Sequence, residues 1–371
     1  MSSRVAVFGP AYLDRVIEVD GPLGRAPGDP PLDQSVEGSL GFAGGDSLVL
    51  VDGAGDALEI VPPDGWPGPL GRIDVGMDRG FGGGEGALAR LRGVAVRDTL
   101  GGMGAGFAAA LRGRLVHALG AGDDPTSRAV QAMLAAEGID GRPIRIAGRP
   151  ADWTLLVSSG VHGDKLAIGF RGCHSALRAS DLAEPLSEPC DLRVVAGLSN
   201  RLAAAALEAP GARLRLFAPG MRNMTDRSHP VATFARSVDV LCCNRGEWEA
   251  LHDRDDVAWK VSILVVTDGP RGATARFTTP DGEPGRLTLP TLHRGRPPRD
   301  TNHAGEALGA TVAATLLEAG WDARTGIVPR DLLRLAMLRG SAAAALVLDR
   351  ADFGFPSGAE VGEAVRSSGL G

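Results

Sequence analysis

Between residues 192 and 267 the chain repeats one unit, a short apolar run followed by a helical pattern. The runs at residues 192–196, 213–218, 238–243 and 263–267 read as buried strands, with helical spacing at 203–208 and 247–251 between them. Such runs lack polar/apolar alternation, so both of their faces must be covered, and crossover helices do this. The pattern implies an α/β fold with a doubly wound, mainly parallel central sheet. Flanking segments extend it: strands at 4–8 and 115–119, and small-residue or amphipathic helices at 104–112, 127–137, 306–318 and 331–348. Residues 153–158 and 165–170 read as a hairpin, and residues 16–19 as extended. A chain of 371 residues can bury such a core as one large domain or two modest ones.

Residues 24–97 differ in character. They hold many of the 53 glycines and 25 prolines, without the period of collagen. Within them 47–51 and 57–61 flank Asp52-Gly-Ala-Gly-Asp56 as a β-hairpin, and Phe81-Gly-Gly-Gly-Glu-Gly86 reads as a flexible loop. The stretch reads as a lid or insertion beside a main domain formed by 1–23 and 98–371. Its hairpin offers an edge strand that a second copy of the chain could cover, which makes a homodimer through the lid an expectation.

Composition limits the functions available. Net charge is −6, with no basic tail and no arginine stripe interleaved with aromatics, which argues against nucleic-acid binding. No run approaches a membrane-spanning length, and Met-Ser-Ser-Arg opens no signal-peptide apolar core, so a cytoplasmic, membrane-free protein is expected. Lys165 and Lys260 are the two lysines, so a phosphate clamp would rest on arginine, backbone N–H groups or metal. Cys173, Cys190, Cys242 and Cys243 read as buried apolar thiols, the adjacent pair pointing to opposite sheet faces.

Five segments carry chemistry. Asp300-Thr-Asn-His-Ala-Gly-Glu306 opens a long helix, so free N–H groups and the helix dipole converge on Ala304, Gly305 and Glu306 as an anion site. Glu306 in that first turn can take a hydroxyl proton, or simply favour the helix start. Asn244-Arg-Gly-Glu247 can hold Mg²⁺ and its waters, or act as a capping box. Thr267-Asp-Gly269-Pro-Arg-Gly272 ends a strand in a turn that brings backbone near a nucleotide, or simply turns. Asp14 follows a strand, where a carboxylate can accept hydrogen bonds from a polyol, and Gly101-Gly102 permits close backbone approach before a helix.

The order of these five segments resembles the PfkB (ribokinase-like) carbohydrate kinase family. Gly120-Ala-Gly-Asp-Asp124, Glu137-Gly-Ile-Asp140, Phe170-Arg-Gly-Cys-His174 and Gly354-Phe-Pro356 are similar to further stretches of it, and the resemblance covers most of the chain outside residues 24–97. It implies a ribokinase-like βαβ sandwich with a small β-rich lid, here enlarged by an insertion. It also implies ATP-dependent phosphoryl transfer to a hydroxymethyl group of a sugar or sugar-like molecule. Carried over by position, Asp14, Gly101, Gly102 and Gly106 would bind substrate. Asn244, Thr267, Gly269, Gly272 and His303 would line the nucleotide site, with Glu247 on Mg²⁺ through water. Ala304 and Gly305 would form the anion hole, Glu306 would be the base, and Asp300 falls where many members hold a monovalent cation such as K⁺.

Three positions depart from the family pattern. Glu306 replaces Asp, and one extra methylene displaces the carboxylate by about 1 Å, an error that costs on the order of 10²-fold. His303 replaces a glycine, where φ > 0 would carry strain, and reads as a spacer or as an imidazole near the phosphates. Gly106 replaces an Asn that would contact the sugar. A ribokinase-fold protein that binds a sugar or nucleoside without efficient transfer is therefore the alternative. A dinucleotide-dependent dehydrogenase would need a glycine fingerprint after the first strand, which Gly9-Pro-Ala-Tyr does not supply.

Overall fold

The structure, a computed structural model, describes residues 4–24, 32–41, 47–66, 71–77, 81, 88–160, 162–292, 302–350 and 352–369. Asp300 and the glycine run after Phe81 lie outside the described residues. Strands in chain order are β1 (Val5–Phe8), β2 (Tyr12–Val19), β3 (Asp33–Gly41), β4 (Leu48–Val51), β5 (Ala57–Val61), β6 (Arg72–Val75), β7 (Leu88–Gly101), β8 (Arg114–Leu119) and β9 (Gly141–Arg145). They continue with β10 (Trp153–Ser159), β11 (Asp164–Phe170), β12 (Cys190–Ala196), β13 (Ala212–Ala218), β14 (Val240–Asn244), β15 (Ile263–Thr267), β16 (Ala273–Thr278) and β17 (Pro284–Leu289).

The apolar runs form one nine-stranded sheet in the order β17-β16-β15-β14-β13-β12-β1-β8-β9, parallel from β15 to β9, with β16 and β17 added antiparallel. Strand order runs outward in opposite directions from the β1–β12 boundary, the kind of switch point where open α/β sheets bind ligands. Alternate residues feed two cores. Val240 and Cys242 pack on one face of β14, Leu241 and Cys243 on the other. All four cysteines are buried and free, as expected for apolar thiols.

Arg193 of β12 points into one of these cores with no exposure. Its guanidinium donates to the carbonyls of Ala206, Ala209 and Pro210 at 3.0, 2.5 and 3.0 Å, and so closes the C-terminal end of the helix Asn200–Glu208. A cation there also suits the negative end of the helix dipole.

The second layer is an eight-stranded closed barrel, β10-β11-β3-β6-β4-β5-β7-β2. The hairpin expected at 47–61 is present as β4–β5, but β4 also pairs with β6 and β5 with β7. It therefore offers no edge, and the reason for expecting a partner there is removed. β2, β10 and β11 come from outside residues 24–97, and the parallel β2–β10 ladder closes the ring. Ile17, Leu50, Leu58, Ile60, Leu155 and Ile168 fill the interior. No helix among the described residues is long and apolar enough to cross a membrane.

Candidate active site

Asp14 stands in β2 opposite Thr99 of β7 and Thr154 of β10. Gly101 lies against its carboxylate, where a Cβ would come within 1.9 Å of Oδ2. Gly102 begins the helix Met103–Leu111 with φ 97°, and a Cβ on it would stand 2.5 Å from the Pro10 carbonyl oxygen. Both approaches require glycine. Burial pushes the Asp14 carboxyl up to about 6, against the opposing pull of His303, Thr154, Lys165 and Arg171.

The helix Ala304–Glu318 starts from His303, which sits in the left-handed region at φ 64° and gives the helix no side-chain cap. Its first intrahelical bond runs from the Ala307 N–H to the His303 carbonyl at 2.9 Å. The N–H groups of Ala304, Gly305 and Glu306 precede that bond, and a Cβ on Gly305 would meet nothing within 4 Å, so this face is open to an anion. His303 Nδ1 lies 3.9 Å from Glu306 Oε1, and its ring stands edge-on to Phe353 and Phe355 at 5.0 and 6.0 Å. A Cβ on Gly106 would fall 2.9 Å from His303 Nδ1 and 3.2 Å from Glu306 Cγ. The imidazole thus takes the room that a side chain at 106 would need. Among the described residues it also faces Glu306 and the two phenylalanines, and its charge acts on Asp14.

On the other side, β14 ends at Asn244 and opens the short helix Arg245–Ala250. Asn244 and Glu247 form a reciprocal capping box. The Glu247 N–H donates to Asn244 Oδ1 and the Asn244 N–H to Glu247 Oε2, each at 2.8 Å. Burial raises the Glu247 carboxyl to about 7, and the charge of Glu306 adds to the rise. Thr267 is the β15 register partner of Asn244. Beyond it Gly269 and Gly272 have φ 51° and 92°, and a Cβ on Gly272 would lie 2.1 Å from the Leu289 carbonyl oxygen.

Several neighbours of the site carry no role in the motifs, although Arg245 and Arg271 lie inside Asn244–Glu247 and Thr267–Gly272. Arg245 and Arg271 both bind Asp268 at 2.6 Å beside the Gly269 turn. Lys165 of β11 reaches Asn302. Arg97, Leu100, Phe353 and Arg350 join Asp14 and His303 around a cavity of about 20 Å³, room for a single water. A larger recess of about 490 Å³ on the barrel, lined by Glu37, Asp52 and Asp74, shares no residue with it.

No protein-family model matches the chain, and no curated protein matches it. Solved structures do. The nucleoside kinase of Methanocaldococcus jannaschii, an archaeal member of the ribokinase family, superposes with a TM-score of 0.63 at 15% identity, over 99% of each chain. Ribokinase from Thermotoga maritima gives 0.62 at 17%, covering 98% of this chain and 99% of its own. A Burkholderia thailandensis nucleoside kinase in complex with inosine gives 0.59 at 16%, over 98% and 96%. The chain has the ribokinase-like α/β fold.

Proposed function

We propose that this protein is a small-molecule kinase of the PfkB (ribokinase-like) type, transferring the γ-phosphoryl of ATP to a hydroxymethyl group of a sugar or nucleoside. One observation carries the reading. Asp14, the His303–Glu306 pair and Glu247 come from three separate segments, and each acts electrostatically on the next, across an open helix N-terminus. Asp14 and the Gly101-Gly102 backbone hold the acceptor, with Gly106 beside it. Glu306 removes the hydroxyl proton as that oxygen attacks phosphorus, and ADP leaves. The N–H groups of Ala304, Gly305 and Glu306 stabilise the charge on the moving phosphoryl group.

Glu247 and Glu306 repel each other in a poorly solvated place, a situation that a divalent cation relieves, so this donor set fits Mg²⁺. Bound there, the ion would neutralise phosphate charge, with Glu247 holding it through water. Asn244, Thr267, Gly269 and Gly272 line the nucleotide side. A K⁺ near Asp300 and work in the cytoplasm belong to the same reading.

A second reading, a ribokinase-fold protein that binds a sugar or nucleoside with weak or no transfer, is favoured by the longer Glu306 side chain and by His303, which fills the room a substrate-binding side chain at 106 would need. ATP turnover with Mg²⁺ across a panel of sugars and nucleosides separates the two. Substrate-dependent turnover that falls by roughly 10²–10⁴-fold in Glu306→Gln establishes the base. A Glu306→Asp variant faster than wild type shows the methylene to be a handicap. No turnover with any acceptor, together with ligand-induced thermal stabilisation, favours the binding protein.

A further inference from the structure

Asp152, Cys173 and His174 have no part in phosphoryl transfer, yet their ligand atoms converge. Among the described residues they are the one group of three or more His, Cys, Asp or Glu donors lying within 4.8 Å of one another. Cys173 Sγ stands 3.4 Å from Asp152 Oδ1 and 3.9 Å from His174 Nδ1, which in turn is 3.4 Å from Asp152 Oδ2. A tetrahedral zinc ion with bonds of about 2.0–2.3 Å spaces its ligand atoms roughly 3.3–3.8 Å apart. Asp152 Oδ1 accepts the backbone N–H groups of Gly172 and His174 at 2.9 and 3.2 Å, which fixes the plane of the carboxylate. Oδ2 then faces the imidazole, fully buried and with no hydrogen-bond partner among the described residues. A buried carboxylate oxygen served only by an imidazole at 3.4 Å is poorly satisfied, and a cation satisfies it.

We propose that the Asp152 carboxylate, Cys173 Sγ and His174 Nδ1 bind a Zn²⁺ ion. Thiolate, imidazole and carboxylate together suit zinc over the harder magnesium or calcium. The Zn–S bond forms as the thiol proton leaves to solvent, and no electron is transferred. The ion spans the base of the β10–β11 hairpin, because Asp152 precedes Trp153 and Cys173 follows Phe170, the pair that ends the ladder. The Tyr12 ring packs edge-on against His174 at 5.8 Å, two residues before Asp14 in β2. The zinc therefore ties the base of the barrel beside Asp14.

The full-length chain, stripped with a chelator, is titrated with Co²⁺ alone and then with Zn²⁺ as competitor. One equivalent with a thiolate-to-cobalt charge-transfer band is expected, and Zn²⁺ should abolish the band. Cys190→Ser should keep it, Cys173→Ser should lose it, and Asp152→Asn should weaken binding at least roughly tenfold. No thiolate band in the wild type, or a band that survives Cys173→Ser, overturns the proposal. The wild-type titration alone decides the matter if a variant does not fold. It reads metal binding and not turnover, so its failure leaves the kinase reading untouched.

Discussion

His303 and Gly106 share one space, the imidazole filling what a side chain at 106 would occupy. Gly106→Asn alone is expected to cost about 1–3 kcal/mol through overpacking. His303→Gly relieves a left-handed φ, worth about 1 kcal/mol, but empties a packed position against Phe353. The double variant should lie nearer wild type than the singles sum to, with a coupling of at least about 1 kcal/mol in urea unfolding; strict additivity would refute the shared space. Asp14 makes a second prediction. The unfolded chain gives up this proton near the ordinary carboxylate value, the folded chain near 6. Folding stability therefore drops as pH rises across that window and stays lower above it. Asp14→Asn should then be more stable than wild type above pH 6 by about 3 kcal/mol, and equal to it in acid. Acceptor binding should fall in the wild type below about pH 6, as the carboxylate is protonated, and should be lost in the variant at every pH. Melts and binding isotherms against pH check both signs.

At the scale of elements, Arg193 is the test. It serves three carbonyls at the end of the helix Asn200–Glu208 from inside a core. Arg193→Ala should lower stability by about 2–4 kcal/mol in chemical denaturation, since it opens a cavity and strands buried acceptors. A change below about 0.5 kcal/mol would mean that water replaces the guanidinium without cost. Periodicity alone placed β12 and this helix, because apolar runs and 3.6-residue spacing are local properties. It could not show that an arginine inside an apolar strand points inward, since that depends on carbonyls up to 17 residues further along the chain. The Asn244-x-x-Glu247 motif was legible as two things at once, and the structure contains the capping box in full. Arg271 meets Asp268 locally, three residues away, whereas only the fold brings Arg245, 23 residues distant, onto the same carboxylate.

For the whole molecule, closure of the barrel bears on assembly. Among the described residues the β4–β5 hairpin has a partner strand on each side, so it offers no ladder for a second copy to extend. Light scattering is expected to return a monomer mass, and a dimer mass would require an interface other than the edge of this hairpin. The sheet, its helices and the order of Asp14, Gly101-Gly102, Asn244, Gly269 and Glu306 were all readable in the sequence, because each is set by patterns within a few residues. What the tertiary structure alone decided spans longer separations: β2 against β10, Gly106 against His303, and Asp152 against Cys173 and His174. Those contacts join segments that share no local pattern, and a sequence records the residues of such a pair without recording that they meet.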